Sequence, residues 1–142
     1  MSERFAKAMI CFAALGCIAN AIFMIVAPMK WYLTVPTVSQ TGPANSHFIT
    51  DVGLAYLCCG LMLSYGASSP SGRWQSLIAG VMWLIAHGLF HVFEFATGKA
   101  TASRFLRDAP GVLGLPLLVM TALFILLVTH RVSADARSRR KD

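Results

Sequence analysis

Charge is scarce in this chain. Asp, Glu, Lys and Arg make up 13% of its 142 residues, whereas about 25% is usual in a soluble domain. Acids are the scarcer sign: 6 carboxylates stand against 12 Lys and Arg, for a net charge of +6. Hydrophobic residues reach 56%, and mean hydropathy is +0.64. These figures exclude an ordinary soluble surface. The basic residues are not interleaved with stacking aromatics, which speaks against nucleic acid as a partner. They flank apolar runs, as topology signals and contacts to anionic lipid do.

Other absences narrow the reading further. There is no CxxC pair and no zinc-ribbon spacing; Cys11, Cys17, Cys58 and Cys59 all lie inside apolar runs and read as small packing residues. There is no internal repeat and no low-complexity segment. The length suits one domain.

What is present is a set of apolar runs, each near the roughly 20 residues that cross a bilayer core. The pattern predicts an all-α, integral membrane four-helix bundle with spans at about 8–27, 47–66, 74–96 and 111–129. Ala19-Asn20-Ala21 has the form of a signal-peptide cleavage site, but the apolar run continues past it to Pro28, so the first run is read as an uncleaved span. The 28–46 stretch is a loop, because Pro28, Pro36 and Gly42-Pro43 forbid a continuing helix. Its Trp31 and Tyr32 suit a headgroup belt, and it is expected to fold back over the bundle end. Asn45 or Ser46 can cap the second span. In the 97–110 loop a short interfacial helix is expected around Phe105 and Leu106, and Asp108 with Pro110 reads as the start of the fourth span.

Four spans put both termini on one side. That side carries Arg4, Lys7, Arg73 and the tail cations Arg131, Arg137, Arg139, Arg140 and Lys141; the other carries only Lys30, Lys99, Arg104 and Arg107. The positive-inside rule then predicts cytoplasmic termini and a basic cytoplasmic tail, 130–142. Loops 28–46 and 97–110 face outward, which in a bacterium means the periplasmic face of the inner membrane.

Against this apolar background two stretches stand out. His47 and Asp51 are four residues apart, and so are His87 and His91, with Glu94 three further on. Each set shares a helix face. Folding the second and third spans back on each other about the turn near residue 70 sets Asp51 level with His91, His47 level with Glu94, and small Ala55 level with His87. An unpaired charge at mid-bilayer costs at least roughly 2.5–3.5 kcal/mol, so such residues normally face a partner, a cavity or a ligand. The expectation is one site near the outer face: a transition metal (Zn, Fe or Cu) held by His47, Asp51, His87, His91 and Glu94, with Asp51 and Glu94 also able to act as bases at a metal-bound water. Tyr56 and Trp83 are expected to line the cavity beneath, and Asn20 to supply a hydrogen bond. A b-type haem with one axial His from each helix, a quinone, or a polar lock or proton relay without metal are the alternatives. A metal-dependent redox or hydrolytic enzyme for a small or lipophilic substrate, an accessory subunit of a membrane complex, and a transport protein are the corresponding functions. The lipid bilayer is the expected partner, with a homo-oligomer or a larger complex also open.

The run Trp31-Tyr32, Val35-Pro36, Thr41-Gly42-Pro43, Asn45, His47-Phe48 and Asp51-Val52-Gly53 with Tyr56 resembles a signature of small bacterial four-span inner-membrane proteins, the DoxX-like group and its neighbours. The resemblance implies a membrane protein linked to quinone-coupled sulfur oxidation or to membrane redox complexes. It covers the first outer loop and the second span, and the His87–His91–Glu94 stripe is not part of it.

Overall fold

The computed structural model describes residues 2–138. Its elements are α1 (Glu3–Val26), α2 (Pro28–Thr34), a 3-10 turn (Val38–Gln40), α3 (Ser46–Ser68), α4 (Arg73–Ala96), α5 (Ala102–Val112) and α6 (Gly114–Ser138), with no strand among the described residues. Four of these helices, α1, α3, α4 and α6, are long and apolar enough to cross a membrane. Of the basic tail, the side chain of Arg137 and all of Arg139, Arg140 and Lys141 lie outside the described residues.

The helix starts follow from local chemistry. The Ser2 hydroxyl accepts from the Phe5 N–H, Asn45 Oδ1 accepts from the Phe48 N–H at 3.1 Å, and Thr101 Oγ1 accepts from the Arg104 N–H at 3.3 Å; each satisfies an otherwise orphaned first-turn donor. Pro28 takes the first position of α2, where a missing N–H costs nothing.

The four long helices form a ring in which α1 packs on α3 and α6, and α4 packs on α3 and α6. Small residues make the closest approach. The buried stripe of α1 runs Ala6, Ile10, Ala13, Ala14, Cys17, Ala21, Met24, and α3 meets it with Gly53 and Gly60. A Cβ on Gly60 would lie 2.5 Å from Ile18 Cγ1 and 3.0 Å from the Ala14 carbonyl oxygen, so the backbones touch there only because α3 has no side chain. Between apolar helices surrounded by apolar surroundings, this packing is the main source of association. The outward faces carry large apolar side chains, with Phe12 68%, Leu15 66% and Phe124 67% exposed, a surface compatible with lipid contact.

The fourth long helix begins later than its sequence signals. Pro110 lies in the last turn of α5 rather than at a helix start. The hydrogen-bond ladder is interrupted there: Leu113 N–H to the Ala109 carbonyl closes α5, Leu117 N–H to the Leu113 carbonyl opens α6, and Pro116 has no N–H to offer between them. The consequence is that Asp108 is no cap. It projects from the body of α5 into the bundle end.

Candidate functional site

At the end of the bundle that carries the α1–α3 and α4–α6 connections lies a cavity of about 550 Å³. Its floor and walls are apolar: Met24 of α1, Ile49, Val52 and Tyr56 of α3, Val112, and Leu115 of α6. Its roof is the 28–45 connection, including Trp31, Tyr32 and Val35–Val38, folded back over the bundle; its first part is the helix α2, where the prolines lead one to expect loop throughout. Three side-chain contacts hold the roof. Trp31 Nε1–H donates to Asn20 Oδ1 at 2.9 Å, Tyr32 O–H donates to the Gly42 carbonyl at 2.7 Å, and the Thr37 hydroxyl donates to Asp108 Oδ1. Thr37 is buried and has φ +68°, a left-handed conformation that costs a β-branched residue energy and that its surroundings must hold.

One wall is polar. His87, His91, Arg107 and Asp108 reach the cavity. Behind them stands a charge cluster. His91 Nδ1 is 3.9 Å from Glu94 Oε2 and 3.9 Å from Asp108 Oδ2, and Arg104 lies between the two acids, Nη2 3.5 Å from Glu94 Oε2 and Nε 3.8 Å from Asp108 Oδ2. The side chains of these four residues are 11–18% exposed. The separations exceed ordinary hydrogen-bond reach, so these four side chains are not hydrogen-bonded to one another. Arg104 Nε is buried without a hydrogen-bond partner among the described residues.

An aromatic column supports the histidines. Trp83 stacks on His87 with centroids 4.9 Å apart and planes 7° from parallel, Tyr56 meets the Trp83 edge at 4.8 Å, and His87 meets His91 at 4.9 Å in a T-shaped contact. Tyr56 is a lining residue; Trp83 stands behind His87 and orients it.

The sequence-predicted residues therefore divide. His87, His91 and Glu94 come together, with Tyr56 and Trp83 beside them. His47 and Asp51 do not join them. They pair with each other at 3.3 Å on the outside of α3, with side chains 85% and 53% exposed. The cause is helical phase. The inward stripe of α3 is Ile49, Gly53, Tyr56, Gly60 and Leu63, and Asp51 falls two residues from both Ile49 and Gly53, roughly 200° around the helix. The expected level of the hairpin is nonetheless the observed one, since Tyr56 meets Trp83 and His87, and Gly80 packs on Leu63 and Cys59. The residues that replace His47 and Asp51 are Asp108, Arg104 and Thr37. Arg104 and Asp108 show the same four-residue spacing on a short amphipathic helix that singled out His87 and His91.

This donor set does not fit a metal well. Arg104 occupies the position between the two carboxylates where a cation would have to sit, and no group of three His, Cys, Asp or Glu among the described residues is arranged to hold an ion. A bis-histidine haem drawing one axial ligand from each of α3 and α4 is also disfavoured, because His47 points out of the bundle. What the arrangement can do is hold an apolar molecule whose polar end meets an imidazole and a carboxylate. No protein-family model matches the chain, and comparison with curated proteins and with solved structures gives no match.

Proposed function

We propose that this chain is a four-span protein of the bacterial inner membrane, with cytoplasmic termini, that binds a lipophilic small molecule with a hydrogen-bonding ring, of the quinone class, in a pocket at its periplasmic end. The observation that carries this reading is the cavity itself, about 550 Å³, apolar on most of its wall, with His91 and Asp108 on one side. Pockets for organic ligands are built this way, with a few polar groups fixing orientation in an apolar enclosure. His91 donates to or accepts from a ring carbonyl or hydroxyl, with the carboxylates of Asp108 and Glu94 each 3.9 Å from its Nδ1. Phe48 lines the cavity and is 66% exposed, so the apolar lining reaches the outer surface at α3. The excess of basic residues at the other end supports the orientation, and the DoxX-like resemblance of the roof and α3 supports the ligand class.

Titration of the detergent-purified protein with decylubiquinone, followed by tryptophan fluorescence, tests the proposal. Saturable one-to-one binding is expected, with His91→Ala and Asp108→Asn each weakening it by about tenfold, the worth of one charge-assisted contact. Absence of saturable binding overturns the reading. So does elemental analysis that finds near-stoichiometric metal lost in His91→Ala.

A further inference from the structure

A smaller cavity, about 380 Å³, lies at the opposite end of the bundle, but its Arg73 is already paired with Glu3 at 2.9 Å. The larger cavity keeps polar groups uncommitted, and they are of one kind. Most of the donors in its lining are spent on internal acceptors. Trp31 Nε1–H goes to Asn20 Oδ1, Asn20 Nδ2–H to Met24 Sδ at 3.4 Å, and the Tyr32 hydroxyl to the Gly42 carbonyl. The Thr41 hydroxyl goes to the Val38 carbonyl at 2.8 Å and the Thr37 hydroxyl to Asp108 Oδ1. The N–H groups of Asn45 and Arg107 belong to exposed residues at the rim. Tyr56 and His87 can each donate or accept, so they favour neither kind of ligand.

His91 and Asp108 decide the balance. His91 Nδ1 is 3.9 Å from Glu94 Oε2 and 3.9 Å from Asp108 Oδ2. A ring lone pair turned toward two carboxylates is repelled by both, whereas an N–H turned toward them is attracted. The neutral imidazole therefore carries its proton on Nδ1, which leaves Nε2 as a lone-pair acceptor. Asp108 Oδ2 has no donor within hydrogen-bond reach, since His91 Nδ1 is 3.9 Å and Arg104 Nε 3.8 Å away. A carboxylate accepts and does not donate. The wall thus offers two acceptors. A quinone brings only carbonyl oxygens, which acceptors cannot bind, and a hydroquinone brings two O–H donors.

On the reading that the ligand is of the quinone class, we propose that this pocket holds it in the reduced, hydroquinone form, with one ring hydroxyl donating to His91 Nε2 and Asp108 as the second acceptor. The site selects a redox state, and no bond is made or broken in doing so. Binding the reduced form tenfold more tightly raises the midpoint potential of the bound two-electron couple by about 30 mV.

Isothermal titration calorimetry of the full chain in detergent, under argon, with decylubiquinol and decylubiquinone tests this. Decylubiquinol is expected to bind about tenfold more tightly, the worth of one hydrogen bond to an acceptor that a carbonyl oxygen cannot use. Asp108→Asn replaces an acceptor by an amide that also donates, and is expected to bring the ratio of the two affinities to about one. A purely structural loss in that variant weakens both forms by the same factor and leaves the ratio as it was. Equal binding of the two forms by the wild type, or tighter binding of decylubiquinone, overturns the inference and leaves the quinone-class pocket standing. An undiminished ratio in Asp108→Asn overturns it as well. Binding of neither form overturns the pocket assignment itself, and the inference with it. The wild-type comparison needs no variant, so it decides the matter even if Asp108→Asn fails to fold.

Discussion

The Thr37 hydroxyl donates to Asp108 Oδ1 across 71 residues of sequence, joining the roof of the larger cavity to the helix that supplies its carboxylate. The bond does two things at once. It fixes Asp108 beside His91, and it keeps Thr37 in a left-handed conformation that a β-branched residue adopts only under constraint.

Variants at position 37 separate those effects. Thr37→Ser keeps the hydroxyl and is expected to bind decylubiquinone within about twofold of wild type. Thr37→Val loses the donor and keeps the backbone cost. A hydrogen bond to a charged group is worth about 1.5–3 kcal/mol, so binding is expected to weaken by about tenfold or more. Hydrogen exchange over residues 28–45 should rise in Thr37→Val and not in Thr37→Ser. Unchanged exchange in Thr37→Val would show that the roof is held without this contact.

Arg104 screens Glu94 and Asp108 from each other inside a mostly buried cluster. Removing one member of a buried charge set leaves the others uncompensated, at a cost of roughly 3 kcal/mol. Arg104→Met is therefore expected to lower stability by about that amount in a denaturation titration. The double variant Arg104→Met, Glu94→Gln should recover part of the loss, because the repulsion between the two acids disappears with the carboxylate. Additive losses in the double variant would mean that Arg104 acts through packing alone.

How far the sequence reaches is visible in particular residues. The four long helices, the roof and the level of the α3–α4 hairpin follow from apolar run length, proline positions and turn placement. Each of these is a one-dimensional property. The rotation of α3 is not, and it depends on which face carries the small residues. Gly53 and Gly60 mark that face by their seven-residue spacing, and they put Asp51 on the far side. Polarity alone pointed the other way, because it treats a pair of ionisable residues at helical spacing as inward when a mutual surface pair satisfies them equally well. Asp108 was obscured for a different reason. An acid two residues before a proline has the form of a helix start, and only the run of α5 through Pro110 to Val112 turns it into a lining residue. Thr37 gave no signal at all, since its conformation and its partner both arise from tertiary contacts.

Gly88 sets how closely the α5–α6 junction approaches α4. A Cβ there would lie 2.9 Å from the Val112 carbonyl oxygen and 3.0 Å from Leu113 Cδ2. The first neighbour is backbone and cannot rotate away, so Gly88→Ala is expected to push the junction outward and displace Asp108 and Arg104 from His91. Decylubiquinone binding should fall about tenfold with a measurable loss of thermal stability. Gly114→Ala is the control, because nothing lies within 4 Å of a Cβ at that position, and alanine is the better helix former by about 1 kcal/mol. Equal behaviour of the two variants would show that the close contact at Gly88 does not position the site.

His47 and Asp51 give the sharpest separation between the reading from spacing and the reading from geometry. If the two belonged to a shared centre, His47→Ala and Asp51→Asn would damage binding as severely as His91→Ala. On the outer face of α3 they form an exposed pair, and such pairs contribute less than about 1 kcal/mol. Both variants are therefore expected to retain decylubiquinone affinity within about twofold and to change thermal stability only slightly, while His91→Ala loses binding. A tenfold loss of affinity in Asp51→Asn with the fold intact would place α3 in a different rotation from the one described and would reopen the five-residue site.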